Sequence, residues 1–428
     1  MAGSDYGSEP RGAERRPRRR KQRGLFRRPR RAMRRELSQL ICAVAGFGLG
    51  LAVPEVTAGP QADAGRVVSL LFTIGFGVIS LVSIIYSVLF LVVQFSATSF
   101  SPRLGLFRDD PIVWRTFAFA IGVFVFSMTA GLAIGTEKQV SVFLPWVDVL
   151  LALVALTLMR TLQARAFQSI QLAPALAAIT SRAHHVFDAL YTRPYVPDAA
   201  ADVPPGQGKA GQGGKAVTVR WTERVAVLQQ IDVSALVAAA KEHGCVVTLR
   251  QPVGASIARG MALAEVRGGE LPEEVLRGAL LTSEERGFAQ DPEFPFRLLA
   301  DMALKALSAA INDPATAVQT LDHIEDLLIR LADRDLDIGR VADDEGTVRV
   351  IVPVPAWERY VTLSVDDITV AAVNSPMALL RIRTMLRRLL EACPAQRRPL
   401  VSDRLRWVEE AGAEDYPLHW EPYAQERP

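Results

Sequence analysis

Seven polar residues in the second half of the chain are of types that could hold a cation or a small polar ligand: Arg286, Gln290, Asp291, Asp301, Asn312, Asp313 and Thr316. Carboxylates bring charge, amides and a hydroxyl bring neutral oxygens, and the arginine would hold an anionic group or balance a carboxylate. Asp301 precedes Ser308 by two helical turns, so gathering the set requires Asp291 or another loop residue to fold back against the helix. The same residues have structural uses. Asp313 reads as an N-cap, Pro314 takes the first helical position, where its missing N–H costs nothing, and Asn312 suits a turn. A hydrogen-bonded network fixing two helices accounts for the set without a ligand, because buried polar groups must be paired.

A second constellation lies within an apolar stretch. At about 100° per residue, Ser69, Thr73, Ser80, Ser83, Ser87, Gln94 and Thr98 fall within an arc of roughly 80° on one helix. Lipid offers such groups no partners, so the stripe faces protein or water. Ser80, Ser83, Ser87, Gln94 and Thr98 would line a translocation path, or would pack against another helix, where small polar residues let backbones approach closely. Packing is the plainer reading of a single stripe. Asp148 is the one acid inside an expected span, and such a carboxylate is by type a proton or ion site. Pro145 and Trp146 just before it place it near the headgroups instead.

Catalytic signatures are missing: there is no Walker A loop, dinucleotide fingerprint, HExxH or GxSxG. Cys42, Cys245 and Cys393 are too scattered for a disulfide framework or a thiolate zinc site. His184 and His185, adjacent on a helix, point about 100° apart and cannot share one ion on a single face. The sequence therefore predicts a non-enzyme with no cofactor and no metal.

Four apolar stretches position the stripe: Leu37 to Val53, Val67 to Val93, Ile112 to Ile134 and Val142 to Met159. A hydrocarbon core of about 30 Å needs about 20 helical residues, so each can span. The second extends from about Arg66 to Ser99, too long for the bilayer, and must tilt or project. Residues 11–35 carry fourteen Lys and Arg side chains, and more follow the second span (Arg103, Arg108, Arg115) and the fourth (Arg160, Arg165). The two other loops are short and nearly neutral, which puts both termini in the cytoplasm. The basic N-terminus lacks the interleaved aromatics of a nucleic-acid surface, so it is expected to contact anionic lipid of the bilayer. The formal charge of the chain is only +3 because the tail is acidic enough to offset this segment.

The expected organisation is a disordered basic tail (1–35), a four-helix transmembrane domain (36–165), a helical extension with a flexible linker (166–215) and a cytoplasmic α+β domain (216–428). In that last domain Val217 to Trp221, Cys245 to Arg250, Ala262 to Val266, Val348 to Val352 and Tyr360 to Leu363 read as strands. Helices are predicted from Asp232 to Lys241, Phe296 to Ala310, Pro314 to Ala332, Ala378 to Ala392 and Asp403 to Glu410.

The chain resembles a bacterial family of predicted membrane proteins, domain of unknown function 2254 (DUF2254). The resemblance rests on Phe100-Ser101-Pro102-Arg103-Leu104, Ile231-Asp232 and Gln290-Asp291-Pro292-Glu293-Phe294. Its strongest part is Ala306-Leu307-Ser308 with Ile311-Asn312-Asp313-Pro314 and Thr316-Ala317. Ala309 stands where the family pattern has Pro, and Gly287 where it has Thr. The resemblance implies four spans and a cytoplasmic tail, and no activity. The fold class expected is membrane α-helical with a cytoplasmic α+β domain, located in the bacterial plasma (inner) membrane as a multi-pass homo-oligomer. The leading functional expectation is a channel or transport protein with a regulatory tail. The alternative is a membrane-anchored sensor or scaffold whose tail binds a small ligand, an ion or a protein. Nucleic acid is not expected as a partner.

Overall fold

The computed structural model describes residues 31–56, 59–99, 111–135, 137–196 and 216–420. The basic segment before residue 31, the Phe100–Leu104 motif and the 197–215 linker lie outside the described residues. Five helices come first: α1 (Arg31–Ala52), α2 (Ala64–Ser99), α3 (Pro111–Ala133), α4 (Phe143–Ile170) and α5 (Leu172–Leu190). Two short strands, β1 (Gln61–Asp63) and β2 (Gln139–Ser141), pair antiparallel between them. There follow β3 (Val217–Arg220), β4 (Ala226–Ile231), α6 (Val233–Glu242), β5 (Val246–Leu249), β6 (Ser256–Ile257), β7 (Ala262–Arg267), α7 (Glu273–Gly278) and β8 (Leu280–Ser283). The remainder is α8 (Phe294–Ala306), α9 (Pro314–Ala332), β9 (Arg340–Ala342), β10 (Val348–Ile351), α10 (Trp357–Val361), α11 (Asp367–Ala372), α12 (Pro376–Ala392), α13 (Arg398–Asp415) and α14 (Pro417–Trp420).

Among the described residues four helices are long and apolar enough to cross a membrane: Leu37–Glu55, Ala64–Leu91, Ile112–Ala133 and Phe143–Arg165. The β1–β2 ribbon ties together the loops joining α1 to α2 and α3 to α4, so those loops share one end of the bundle. At 1.5 Å per residue the 36 residues of α2 reach about 54 Å, well beyond a hydrocarbon core of about 30 Å. α3 is the hub: half of its apolar window is buried, against 11–22% for the others. α1 reaches α3 through glycine. A Cβ on Gly46 would collide with the Gly122 carbonyl, and one on Gly50 would crowd Thr129 and Phe126, whereas Gly48 faces open space. The Gly46/Gly50 spacing is thus the close contact that small residues permit between membrane helices.

After the spans come two further cores. One is helical. α5 contributes Leu176, Ile179, Ala183 and Phe187 to it, with Tyr191 just past its end, alongside Phe296 and Leu299 of α8, Leu321 and Leu328 of α9 and Ile382 and Leu386 of α12. The boundary expected at residue 216 does not divide the packing, because α5 is integral to this core. The other core is built on a five-stranded sheet of order β3-β7-β5-β10-β9, with β5 and β10 parallel, beside a three-stranded antiparallel sheet β6-β4-β8. The region is α+β, as the sequence predicts.

Two expectations fail locally. Tyr360 to Leu363 is not a strand but runs from α10 into a π-helical turn, Thr362–Asp366, with Tyr360, Val361, Leu363, Ser364 and Val365 all buried. A short apolar run without polar alternation fits a fully buried helix as well as a strand. α8 also stops at Ala306 rather than Ala310, because a tight turn follows in which Asp313 N–H donates back to Ala306 O at 2.8 Å.

Helix register fixes the orientation of the helical core. Thr180 meets His323 (2.7 Å), His184 meets Asp326 (2.8 Å) and Asp188 meets Arg330 (2.9 Å), so α5 and α9 run parallel. Both are 19 residues long, which sets Leu172 level with Pro314. Arg381 donates to Asp322 (2.6 Å) and to Glu325, and Arg388 to Glu325, so α12 runs parallel to both.

Replacing Gly46 with Leu forces a side chain into the Gly122 backbone. The expected cost is about 1–3 kcal/mol, read as a lower unfolding temperature of the purified protein in detergent. Gly48→Leu, directed into open space, leaves that temperature unchanged; equal effects at the two positions would mean that α1 does not pack on α3 in this register.

Candidate functional site

The seven polar residues separate into two places. Arg286, Gln290 and Asp291 gather before the N-terminus of α8. Asp291 is buried and takes a two-pronged contact from Arg286, Nε to Oδ2 at 2.8 Å and Nη2 to Oδ1 at 3.0 Å. Its Oδ1 also accepts the Glu293 and Phe294 amides, two of the donors that a helix start leaves without intrahelical partners. Gly254 lies beneath this pair at φ +88°, and a Cβ there would overlap both the carboxylate and the guanidinium. Burial pushes the Asp291 carboxyl above its ordinary value, against the downward pull of Arg286.

Gln290 does something the sequence does not announce. Its Oε1 accepts the Ile231 amide at 2.8 Å while its Nε2 donates to the Ile231 carbonyl at 3.2 Å, so one side chain pairs with β4 as a neighbouring strand would. Glu293 adds an ion pair to Arg359 at 3.2 Å. This group joins the sheet region to the helical core, and its polar atoms are spent on that junction.

Asp301, Asn312, Asp313 and Thr316 are elsewhere. α8 is 13 residues long and so about 20 Å from end to end, with Asp291 before its start and the α8–α9 turn beyond its end. Asp301 pairs with Arg297 along the α8 surface at 3.1 Å. Asn312 holds φ +49°, the left-handed conformation that Asn tolerates, and this lets the chain reverse into α9. Asp313 accepts the Thr316 amide at 3.1 Å and its hydroxyl at 2.6 Å. Those bonds hold the carboxyl below its ordinary value. The turn is a completed N-cap.

The α2 stripe is oriented decisively. Ala64, Val67, Leu71, Val78, Val82 and Leu89 are buried against the other spans, and they lie on the side of α2 opposite Ser69, Thr73, Ser80, Ser83, Ser87 and Gln94, all of which are exposed. Among the described residues the stripe therefore makes no packing face. Thr73, Ser83 and Ser87 each donate to the carbonyl four residues earlier, at 2.7, 3.0 and 2.9 Å. Thr157 and Thr161 on the exposed face of α4 do the same, so a back-bonded hydroxyl alone does not mark a path. What sets α2 apart is the length of the row and its continuation to Gln94, beyond the apolar window ending at Leu91. The side chain of Thr98 lies outside the described ones.

Asp148 lies two residues past Trp146 in α4 but turns the other way. Trp146 is exposed, but Asp148 is fully buried between α3 and α4, with Ser127 Oγ 2.7 Å from its Oδ1. Its Oδ2 is buried and without a hydrogen-bond partner among the described residues. Gly75 of α2 closes against Ser127. Helix phase explains the difference, since two residues turn the side chain by about 200°, from the outer face to the inner one. His184 is engaged by Asp326, and among the described residues no three His, Cys, Asp or Glu side chains gather as a metal site.

A family model described as "Predicted membrane protein (DUF2254)" matches residues 37–388. Uncharacterised proteins of Mycobacterium bovis and of Mycobacterium tuberculosis strain H37Rv are each 26% identical over 375 residues, covering 83% of this chain and 70% of the relative. Another from Mycobacterium tuberculosis strain CDC 1551 is 27% identical over 376 residues, with the same coverage. No solved structure matches the chain.

Arg286→Ala leaves Asp291 buried without its counter-charge and should cost about 3–5 kcal/mol. Adding Asp291→Asn should recover most of that loss in thermal unfolding; no recovery would show that the arginine acts through packing instead. The folded Asp291 carboxyl titrates above its unfolded value, so the native state takes up the proton first. Stability from this group rises as pH falls through the raised value toward the ordinary one, and Arg286→Ala enlarges that rise. Asp313 has the opposite sign. Its lowered carboxyl stabilises above the unfolded value and loses this as pH falls through the folded one. Asp313→Ala should cost about 0.5–2 kcal/mol at neutral pH, with the gap to wild type closing in acid when melting is followed against pH.

Proposed function

This chain belongs to the DUF2254 family of predicted membrane proteins, and from that premise we propose that it is a homo-oligomeric channel or transport protein. The observation that supports this reading is the orientation of the α2 stripe. Five hydroxyls and Gln94 are exposed on the face of α2 opposite the one that packs on the other described spans. In a symmetric oligomer that puts α2 from each protomer around a shared axis, Ser80, Ser83 and Ser87 line the path and Gln94 stands near one mouth. The region after α4 regulates the path and does no catalysis. The spans lie in the bacterial plasma (inner) membrane with both termini cytoplasmic, on the strength of the basic flanks and the nearly neutral loops. The basic N-terminus holds anionic lipid.

One observation favours a second reading, a membrane-anchored sensor or scaffold. α5 follows α4 after a single residue and is packed into the helical core, so a ligand, ion or protein that shifts that core would move a span directly.

Flux through liposomes containing the full-length protein separates the two. Gln94→Leu and Ser87→Leu should each change protein-dependent ion flux several-fold while leaving assembly intact. Thr157→Val, on the exposed face of α4, should leave flux unchanged. Absence of flux from a folded oligomer inserted in both orientations, together with a rise in unfolding temperature on adding an ion or ligand, would overturn the channel in favour of the sensor.

A further inference from the structure

The parallel register of α5, α9 and α12 identifies which end of the helical core lies toward the membrane. α5 begins one residue after α4 ends, and the apolar window of α4 ends at Arg165. Leu172 is therefore within about 10 Å of the end of that window, at 1.5 Å per helical residue. The three cross-links between α5 and α9, spaced 142 or 143 residues apart, carry that level over to Pro314. The Arg381–Asp322 contact, with a spacing of 59, carries it on to the start of α12 at Pro376. α13 runs back along α12, with Glu409 taking Arg383 and Arg387, and brings Tyr416 to the same end, where its hydroxyl donates to Val373 O at 2.9 Å.

That end carries exposed apolar side chains which the core does not use. Ile311, in the turn before Pro314, is 52% exposed; Met377, in the first turn of α12, is 52% exposed; and Leu418, two residues past Tyr416, is 86% exposed. Each projects from a turn or a helix end where polar residues would ordinarily stand. An apolar surface beside a membrane-spanning helix has a neighbour fixed by chain continuity: the headgroup and acyl boundary, where buried apolar area supplies the binding energy. We propose that this end of the helical core rests in the bilayer interface, with Ile311, Met377 and Leu418 as its lipid contacts. The Ile311-Asn312-Asp313-Pro314 turn then has a second use. The left-handed Asn312 and the capped Asp313 hold Ile311 outward at the point nearest the lipid.

Spin labels on the full-length protein in phosphatidylcholine liposomes test this. Cys245 and Cys393 are buried, so labels are placed by Ile311→Cys, Met377→Cys or Ile329→Cys in a Cys42→Ala background. Ile329 serves as the reference because it sits on α9 beside Arg330, at the opposite end of the α5 register. Oxygen concentrates in lipid and a nickel chelate stays in water. At positions 311 and 377 relaxation by oxygen should exceed that by the chelate several-fold, with the reverse at 329. A chelate-dominated signal at 311 and 377 would place this end in water and overturn the proposal. So would inaccessibility to both agents, which means protein cover, and dipolar broadening would identify that cover as a second copy.

Discussion

The pairing of α5 with α9 is the constraint on which the rest of the molecule depends. A spanning helix that ended in a free linker would leave the following region to tumble, and nothing in one half would bear on the other. Here α5 is clamped along its length by the contacts of Thr180, His184 and Asp188 with α9, and along its other side by Leu176, Ile179, Ala183 and Phe187. The polar contacts are partly exposed and individually worth little. Their value is registry, since sliding one turn would separate all three at once, while the apolar side chains provide the stabilisation. Burial lowers the proton affinity of His323, and the Thr180 hydroxyl that faces its Nδ1 also donates to the Leu176 carbonyl of its own helix at 3.0 Å.

Three helices running parallel side by side bring like ends of their dipoles together, an arrangement that needs compensation. It is present at both ends. Asp313 caps α9 and Ser375 caps α12 at the membrane-side end, each accepting an amide of the first turn. At the other end the buried Arg397 donates to the carbonyls of Leu331 (2.9 Å), Ala332 (2.8 Å) and Arg334 (2.9 Å), closing the C-terminus of α9. The rings of Tyr195 and Trp357 lie against its guanidinium at 4.3 and 5.2 Å, which makes the buried cation tolerable. The N-cap at Asp313 is thus one half of a balanced pair, and its polar atoms are occupied by that task.

What the sequence made legible was whatever depends on neighbours along the chain. Four apolar lengths mark the spans, and Asp232, Asp313 and Pro314 mark helix starts. The angular spread of the α2 hydroxyls was also readable from helix period. Their direction was not, because it depends on α3 and α4 taking the opposite face. Asp148 shows the same limit: its neighbours in sequence do not reveal its burial, because its partner Ser127 is 21 residues away. Gln290 pairing with the backbone of Ile231, Gly254 making room for Asp291, and Arg397 gathering three carbonyls are likewise non-local. A signal for α5 did exist, since its apolar positions repeat at helical spacing on one face, and a surface that cannot stay in water needs a core to join.

The two polar features of the spans carry unequal weight once solvation is considered. A hydroxyl bonded to its own helix backbone has little left to satisfy, so Ser83 and Ser87 can face lipid at small cost, as can the back-bonded, exposed Thr157 and Thr161. Such a row is compatible with lipid as well as with a path, so its weight lies in its length and in its continuation to Gln94. Gln94 differs in kind, because a primary amide carries two donors and a carbonyl oxygen. It lies on the same face, past the apolar window, where α2 still has five residues to run. An overlong helix that ends its hydroxyl row in an amide presents, outside its own bundle, a surface graded from weakly to strongly polar. Protein or water suits the polar end of that surface, and lipid its apolar beginning.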